Sequence, residues 1–175
     1  MKNKIYETMD VAVADIPDDV TILSPGFSGV GVPRNLIAAL NRQGAKGLTG
    51  VSNNAGTIDE NVDIGTLVES GQMKKMICAF TASTHPSQVT PFTRMYNNDE
   101  IEAELVPQGT LAERLRCAAA GIGGFYTPTS VGTELAEGKE HREFNGRMHV
   151  LELPLPGDYG LIRAWKADTA GNLVF

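Results

Sequence analysis

A chain of 175 residues with 42% hydrophobic positions has the size of one globular domain able to bury a substantial core. Its 15 Lys and Arg stand against 21 Asp and Glu, a net charge of −6 with no run of basic residues, which argues against a nucleic-acid or anionic-membrane surface. The N-terminus, Met1-Lys2-Asn3-Lys4-Ile5-Tyr6-Glu7, lacks an apolar signal stretch, and the longest uncharged segments are broken by Gly, Pro, Ser and Thr, so a cytoplasmic protein with no membrane span is expected.

In chain order, Ile5 to Ile16 reads as a short amphipathic helix stopped by Pro17-Asp18-Asp19, and Val20 to Leu23 as a buried strand before Ser24-Pro25-Gly26. Pro33 to Gln43 has proline at a first helical position, apolar residues at Leu36, Ile37 and Leu40, and Gly44 as its stop. The alternation continues with a strand at Leu48 to Ser52, a helix at Ile64 to Ser70 and a strand at Lys75 to Phe80. A helix at Val89 to Asn98, a strand at Ala103 to Val106 and a helix at Thr110 to Ala120 complete it. This alternation predicts βαβ units in an open, mostly parallel α/β sheet with helices on both faces. Gly121 to Thr133 is rich in Gly, Pro and Thr and predicts an extended loop. Asn145-Gly146, between apolar segments, predicts a late β-hairpin, with further strands at Met148 to Leu155 and Leu161 to Lys166.

In open α/β sheets, ligands bind beyond the carboxyl ends of the strands, which directs attention to the loops leaving them. The run Gly26-Phe27-Ser28-Gly29-Val30-Gly31 has GxxGxG spacing, which matches neither the dinucleotide fingerprint nor a Walker A loop. Its backbone either approaches a ligand or makes a tight strand-to-helix turn. Asn53 and Asn54, followed by Ala55-Gly56, either close a turn internally or offer donors to a carboxylate or carbonyl. In Pro107-Gln108-Gly109-Thr110, helix capping accounts for Thr110 and leaves Gln108 without a role. The long 121–133 loop carries the aromatic pair Phe125-Tyr126, which argues against disorder.

Other candidates read as structural. Cys78 and Cys117 sit in apolar segments without CxxC spacing and are expected as buried free thiols in a reducing compartment. The acidic residues around His141 read as a solvated face rather than a metal site. His149, among apolar strand neighbours, has no nucleophile motif to serve.

The segment Leu105-Val106-Pro107-Gln108-Gly109-Thr110-Leu111-Ala112-Glu113-Arg114-Leu115-Arg116, followed by 121–133, resembles the pattern VPQG-[TN]-L-x-E-x-[IL]-R then AGIGAFYTPTGVGT of the alpha subunit of the family I CoA-transferases, the 3-oxoacid CoA-transferase family. The resemblance covers nearly the whole chain. The glycine loop resembles the family's GGFxxxGxP, with Ser24-Pro25 in place of the usual residue and first glycine, so one backbone N–H is lost at Pro25. Segment 132–147 looks most similar to 3-oxoadipate CoA-transferases, and acetoacetate-type enzymes share the central loop.

The resemblance implies a CoA-transferase (NagB-like) fold and covalent chemistry. In the family, a glutamate supplied by the partner, the beta subunit, attacks the acyl-CoA, forms a glutamyl-CoA thioester and passes CoA to an incoming carboxylic acid. That glutamate lies in an ENG-type motif absent from this sequence; the nearest approximation, Glu69-Ser70-Gly71, reads as a helix end. No catalytic residue is therefore expected in this chain, which would work only within a hetero-oligomer containing the beta subunit. CoA would be the substrate, with no separate cofactor and no metal. Gly26, Phe27, Ser28, Gly29, Val30 and Gly31 are implied at CoA, and Asn53, Asn54, Gln108 and Gly109 at the carboxylic acid. Phe27, Phe125 and Tyr126 would exclude water from the thioester. Against the family's length, residues 1–175 are expected to form a single alpha-subunit domain lacking its last elements. The alternative is a non-catalytic phosphosugar or nucleotide-binding α/β module, whose glycine loop would hold phosphate without chemistry.

Overall fold

The computed structural model describes residues 3–27, 29–57, 62–83, 85 and 87–175. It begins with helix α1 (Met9–Val13), strand β1 (Thr21–Leu23), α2 (Arg34–Gln43), β2 (Leu48–Asn54), α3 (Ile64–Glu69), β3 (Met73–Phe80), α4 (Pro91–Asn97), β4 (Glu102–Leu105) and α5 (Gln108–Ala120). Short strands follow: β5 (Phe125–Thr127), β6 (His141–Phe144), β7 (Arg147–Glu152), β8 (Tyr159–Gly160), β9 (Lys166–Ala167) and β10 (Leu173–Val174).

The main sheet has the order β4-β3-β2-β1-β8, and every pairing in it is parallel. Alternation along each strand divides the interior in two. Ile22, Leu48, Met76 and Cys78 point to one face, where they meet Ile37 and Leu40 of α2, Leu67 and Val68 of α3, and Phe92 of α4. Val51 and Ile77 point to the other, where α5 supplies Leu111 and Leu115 and the later chain supplies Leu155. The expected parallel sheet with helices on both faces is therefore present, with α5 on the face opposite α2, α3 and α4.

Local signals explain several boundaries. Gly44 (φ 88°) and Gly121 (φ 67°) end α2 and α5 in the left-handed conformation that glycine adopts without strain. Buried Gln72 donates from Nε2 to the carbonyls of Leu40 (3.1 Å) and Ala45 (3.0 Å), satisfying acceptors at the end of α2. The late hairpin forms as expected: Phe144 pairs with Arg147 across Asn145 (φ 51°) and Gly146 (φ 77°).

Four expectations are corrected. The first helix is confined to Met9–Val13, because the Thr8 hydroxyl caps it by accepting from the Val11 N–H (3.2 Å) and leaves Ile5 and Tyr6 exposed. Thr110 does not cap α5; Pro107 is the N-cap residue, and Thr110 is buried in the first turn. Segment 121–133 is not wholly irregular, since Phe125–Thr127 pairs antiparallel with β7 despite flanking glycine and proline. Leu161 to Lys166 is not one strand: parallel pairing to β1 stops at Gly160, and a new strand starts only at Lys166. Cys78 and Cys117 are buried and free, and burial pushes the Cys78 thiol up to about 11. The segment around His141 is exposed throughout β6, as a solvated face requires.

Charge fastens the two layers. Glu104 of β4 accepts from Lys75 Nζ of β3 and from Arg114 Nη1 of α5, each at 2.8 Å. Arg114 Nε also donates to the Leu153 carbonyl (2.9 Å), tying α5 to the chain beyond β7. Partial burial pushes the Glu104 carboxyl up, but hydrogen bonds from Lys75 and Arg114 outweigh it and hold the group below its ordinary 4.5. Because the folded value is depressed, its contribution to stability is present above the ordinary carboxylate range and is lost as pH falls through the folded value. Glu104→Gln should therefore lower the denaturation midpoint clearly at pH 7, with the gap to wild type closing as the pH is lowered below 4.5. Urea titrations across this range check the sign, and a gap that widens on acidification would contradict it.

Candidate functional site

Parallel pairing places the exits of β1, β2, β3 and β4 on one edge, so the sequence-predicted loops converge there. β2 runs two residues further than expected, and this decides what its two amides do. Asn53 and Asn54 are on the strand, so they face opposite sides of the sheet. Asn54 Oδ1 accepts from the Gly56 N–H (3.2 Å), the turn-closing role. Asn53 Oδ1 instead accepts from Gln108 Nε2 (2.5 Å), joining the end of β2 to the first residue of α5. Asn53 Nδ2 is enclosed and has no acceptor among the described residues. An enclosed donor without a partner costs roughly 1–3 kcal/mol, so this position calls for an explanation.

Gly26 (φ 142°) brings the glycine loop against the start of α2, where an added Cβ would lie 2.6 Å from Val32 Cγ2. Phe27 and Val30 exchange backbone hydrogen bonds across the loop tip, at 3.0 and 2.9 Å. Those two N–H groups are spent inside the loop, which answers part of the choice between turn and ligand cradle. The side chains of Phe27 and Val30 are left 60% and 77% exposed. Arg34 donates from Nη2 to the Gly29 carbonyl and from Nη1 to the Val62 carbonyl, both at 3.3 Å, so it ties the glycine loop to the segment entering α3. Ser28, expected among the CoA contacts, lies outside the described residues.

The other side of the edge is fixed by Asp63. Its Oδ1 accepts from the Gly65 N–H (2.8 Å) and its Oδ2 from the Thr57 N–H (2.8 Å) and hydroxyl (2.7 Å), so one buried carboxylate caps α3 and holds the loop after β2. That loop meets the helix backbone to backbone: a Cβ on Gly56 (φ 102°) would lie 2.4 Å from Gly65 Cα.

Around Asn53 and Gln108 opens a cleft of about 580 Å³. Its walls are apolar: Leu23 and Val51 from the sheet, Leu111, Ala112 and Leu115 from α5, and Ile162 beyond β8. Ser24, Ser52 and Arg163 also line it. Gly109 is next to Gln108, and open space surrounds the position its Cβ would take. The sequence pattern reveals the amides and misses these walls, whose members are far apart in the chain and carry no motif. Phe125 and Tyr126 do not line the cleft. They belong to the sheet β5-β7-β6, where the Tyr126 hydroxyl donates to Glu140 and its ring packs edge-on against Phe144. Among the described residues no group of three or more His, Cys, Asp or Glu is placed to hold a metal, and no helix is long and apolar enough to cross a membrane.

The fold and cleft define a parallel α/β unit whose candidate site lies at the strand exits. More particularly, the chain belongs to the Coenzyme A transferase family, whose sequence pattern matches residues 6–175. It is 46% identical over 172 residues to the alpha subunit of the probable succinyl-CoA:3-ketoacid coenzyme A transferase of Bacillus subtilis, covering 98% of this chain and 69% of that one. It is 46% identical over 175 residues to the alpha subunit of the 3-oxoadipate CoA-transferase of Pseudomonas putida, covering 100% of this chain and 74% of that one. The solved structure of a variant of the decarboxylase AibA/AibB superposes with a TM-score of 0.81 at 25% identity, over 99% of this chain and 67% of that one. Glutaconate coenzyme A-transferase of Acidaminococcus fermentans shares the fold, with a TM-score of 0.77 at 20% identity over 95% of this chain and 58% of that one.

The Gly56–Gly65 contact yields a direct prediction. Gly56→Ala forces one backbone away from the other and should cost roughly 1–3 kcal/mol, the range for an overpacked interior. A denaturant midpoint unchanged from wild type would show that the contact does not hold the edge together.

Proposed function

We propose that this chain is the non-nucleophilic alpha subunit of a heteromeric CoA-transferase. It would move CoA between an acyl-CoA such as succinyl-CoA and a 3-oxoacid, either 3-oxoadipate or acetoacetate. A glutamate of the partner beta subunit carries the glutamyl-CoA thioester, and CoA is a substrate with no further cofactor. Membership of the family supports this reading, as do two relatives that are each named as one subunit of their enzyme. Residues 1–175 act as one alpha-subunit domain, working in the cytoplasm. None of these relatives favours the alternative of a non-catalytic phosphosugar or nucleotide-binding module, and a loop whose Phe27 and Val30 N–H groups are already bonded is a poor phosphate cradle.

The observation that carries the proposal is the unpartnered Asn53 Nδ2 under the exposed Gln108 side chain, at the rim of an apolar cleft. When a carboxylate attacks a thioester carbonyl, negative charge develops on the carbonyl oxygen. Two amides set at the rim are suited to receive it: a small swing of Gln108 off Asn53 Oδ1 frees the Gln108 Nε2 donor beside Asn53 Nδ2, which is already without an acceptor among the described residues. Cleft walls of Leu, Val and Ile exclude water, which strengthens those hydrogen bonds and protects the thioester from hydrolysis. In this reading Gly26 to Gly31 lie along CoA, with Phe27 and Val30 as apolar contacts. Asn54 keeps the loop closed beneath the acid, and Gly109 leaves room for it.

Two outcomes test the proposal. Co-expressed with its beta partner, the chain should transfer CoA from succinyl-CoA to 3-oxoacids, and it should be inactive alone. Full activity of the isolated chain, or none from the intact heteromer, contradicts it. Gln108→Ala in the heteromer should lower kcat by about 100-fold or more, since one lost oxyanion donor typically costs roughly 2.7–4 kcal/mol, while the melting temperature stays near wild type. A collapse of stability with proportionate loss of activity would make Gln108 a structural residue instead.

A further inference from the structure

The polar groups of the cleft lie at two poles. One is the Asn53–Gln108 amide pair, at the exits of β2 and β4. The other is Arg163, three residues beyond β8. β1 runs between β2 and β8, so the two poles start about 10 Å apart, two inter-strand spacings, before their side chains reach inward. The apolar lining of the same cleft includes Leu23, Val51, Ile162 and Phe175.

Arg163 is the only charged side chain lining this cleft among the described residues. Five other arginines, Arg42, Arg94, Arg114, Arg116 and Arg142, pair with carboxylates, Arg34 binds two carbonyls, and Arg147, which also has no side-chain partner among the described residues, lies outside the cleft in β7. Arg163 has no such partner among the described residues, in a chain whose net charge is −6. A lone guanidinium at the end of an apolar wall suits a planar anion that forms two parallel hydrogen bonds.

We propose that Arg163 determines substrate specificity by binding the distal carboxylate of a dicarboxylic acyl group, whose reacting end lies at Asn53 and Gln108. The inference rests on the CoA-transferase reading and deepens it by naming the residue that selects a dicarboxylic over a monocarboxylic acid. A monocarboxylic acid of similar length fills the apolar wall but offers Arg163 nothing, so discrimination falls on KM for the acid more than on the chemical step.

The test uses the heteromer with one monocarboxylic donor, acetoacetyl-CoA, and two acceptors, succinate and butyrate. Arg163→Met keeps the length of the side chain and removes its charge. It should raise KM for succinate at least tenfold, with kcat within threefold of wild type and butyrate kinetics within threefold as well. Arg163→Lys should recover part of the succinate affinity. Equal losses with both acceptors would overturn the proposal, because they would place Arg163 at the phosphates of CoA or in the fold. Unchanged succinate kinetics, or a wild type that uses butyrate but not succinate, would overturn it too. If the wild-type heteromer transfers CoA to no acid, the function reading fails. Calorimetry of succinate binding to wild type and Arg163→Met then reads the arginine separately, and equal affinities overturn its role.

Discussion

Parallel pairing of β1 with both β2 and β8 is the constraint on which the rest of the structure depends. A parallel neighbour cannot be reached by a tight turn, so each strand must be left at its carboxyl end and regained by a crossover. Every chemically distinctive segment of this chain is one of those exits. The glycine loop leaves β1, the two asparagines end β2, Gln108 follows β4, and Arg163 follows β8. Strand order then sets their lateral spacing with no contribution from the loops. This explains how residues separated by more than a hundred positions in sequence come to line one cleft.

Precision at the edge comes from a few buried polar groups that join loop to loop. Asp63 holds α3 and the β2 exit with one carboxylate, and Arg34 holds the glycine loop to the entry of α3 with one guanidinium. A second fastening lies away from the site. Lys139 pairs at 2.5 Å with Glu152, whose side chain is 2% exposed, and so closes the 128–139 segment over β7. Removing the lysine would leave a buried carboxylate uncompensated, which is why such a pair is costly to break even when forming it contributes little. The antiparallel sheet is thus braced by its own ion pair, and the main sheet by Glu104.

Much of this was legible in the sequence where local chemistry and tertiary structure agree. Gly44, Gly121 and Asn145-Gly146 mark ends that the backbone requires for positive φ, and all lie where expected. The misreadings share a cause. Thr8 and Thr90 are caps that set a helix start inside a longer apolar pattern, so α1 and α4 begin later than periodicity suggests. β5 is hidden because its strand-favouring Phe125-Tyr126-Thr127 is only three residues long, set between Gly124 and Pro128, and β8 ends early because its neighbour β1 has only three residues. At the site, Asn53, Asn54 and Gln108 stood out because amides beside strand ends are chemically conspicuous. Leu23, Leu111 and Ile162 did not, because an apolar wall looks like core until topology places it beside a polar rim.

That wall changes the relative weight of the loops. The glycine run is the more conspicuous motif, yet two of its N–H groups are consumed across its own tip, and Pro25 never had one. The amide pair is less conspicuous, yet it holds an enclosed donor that the fold leaves without an acceptor among the described residues. Leaving a donor unsatisfied lowers the stability of the empty protein, and an incoming oxygen that accepts from it restores that loss upon binding. If the oxygen carries more charge in the transition state than in the ground state, the gain is larger there, and the difference appears as rate rather than affinity. In the proposed reading the glycine loop would shape the approach of a ligand, whereas Asn53 and Gln108 would favour one moment in its reaction.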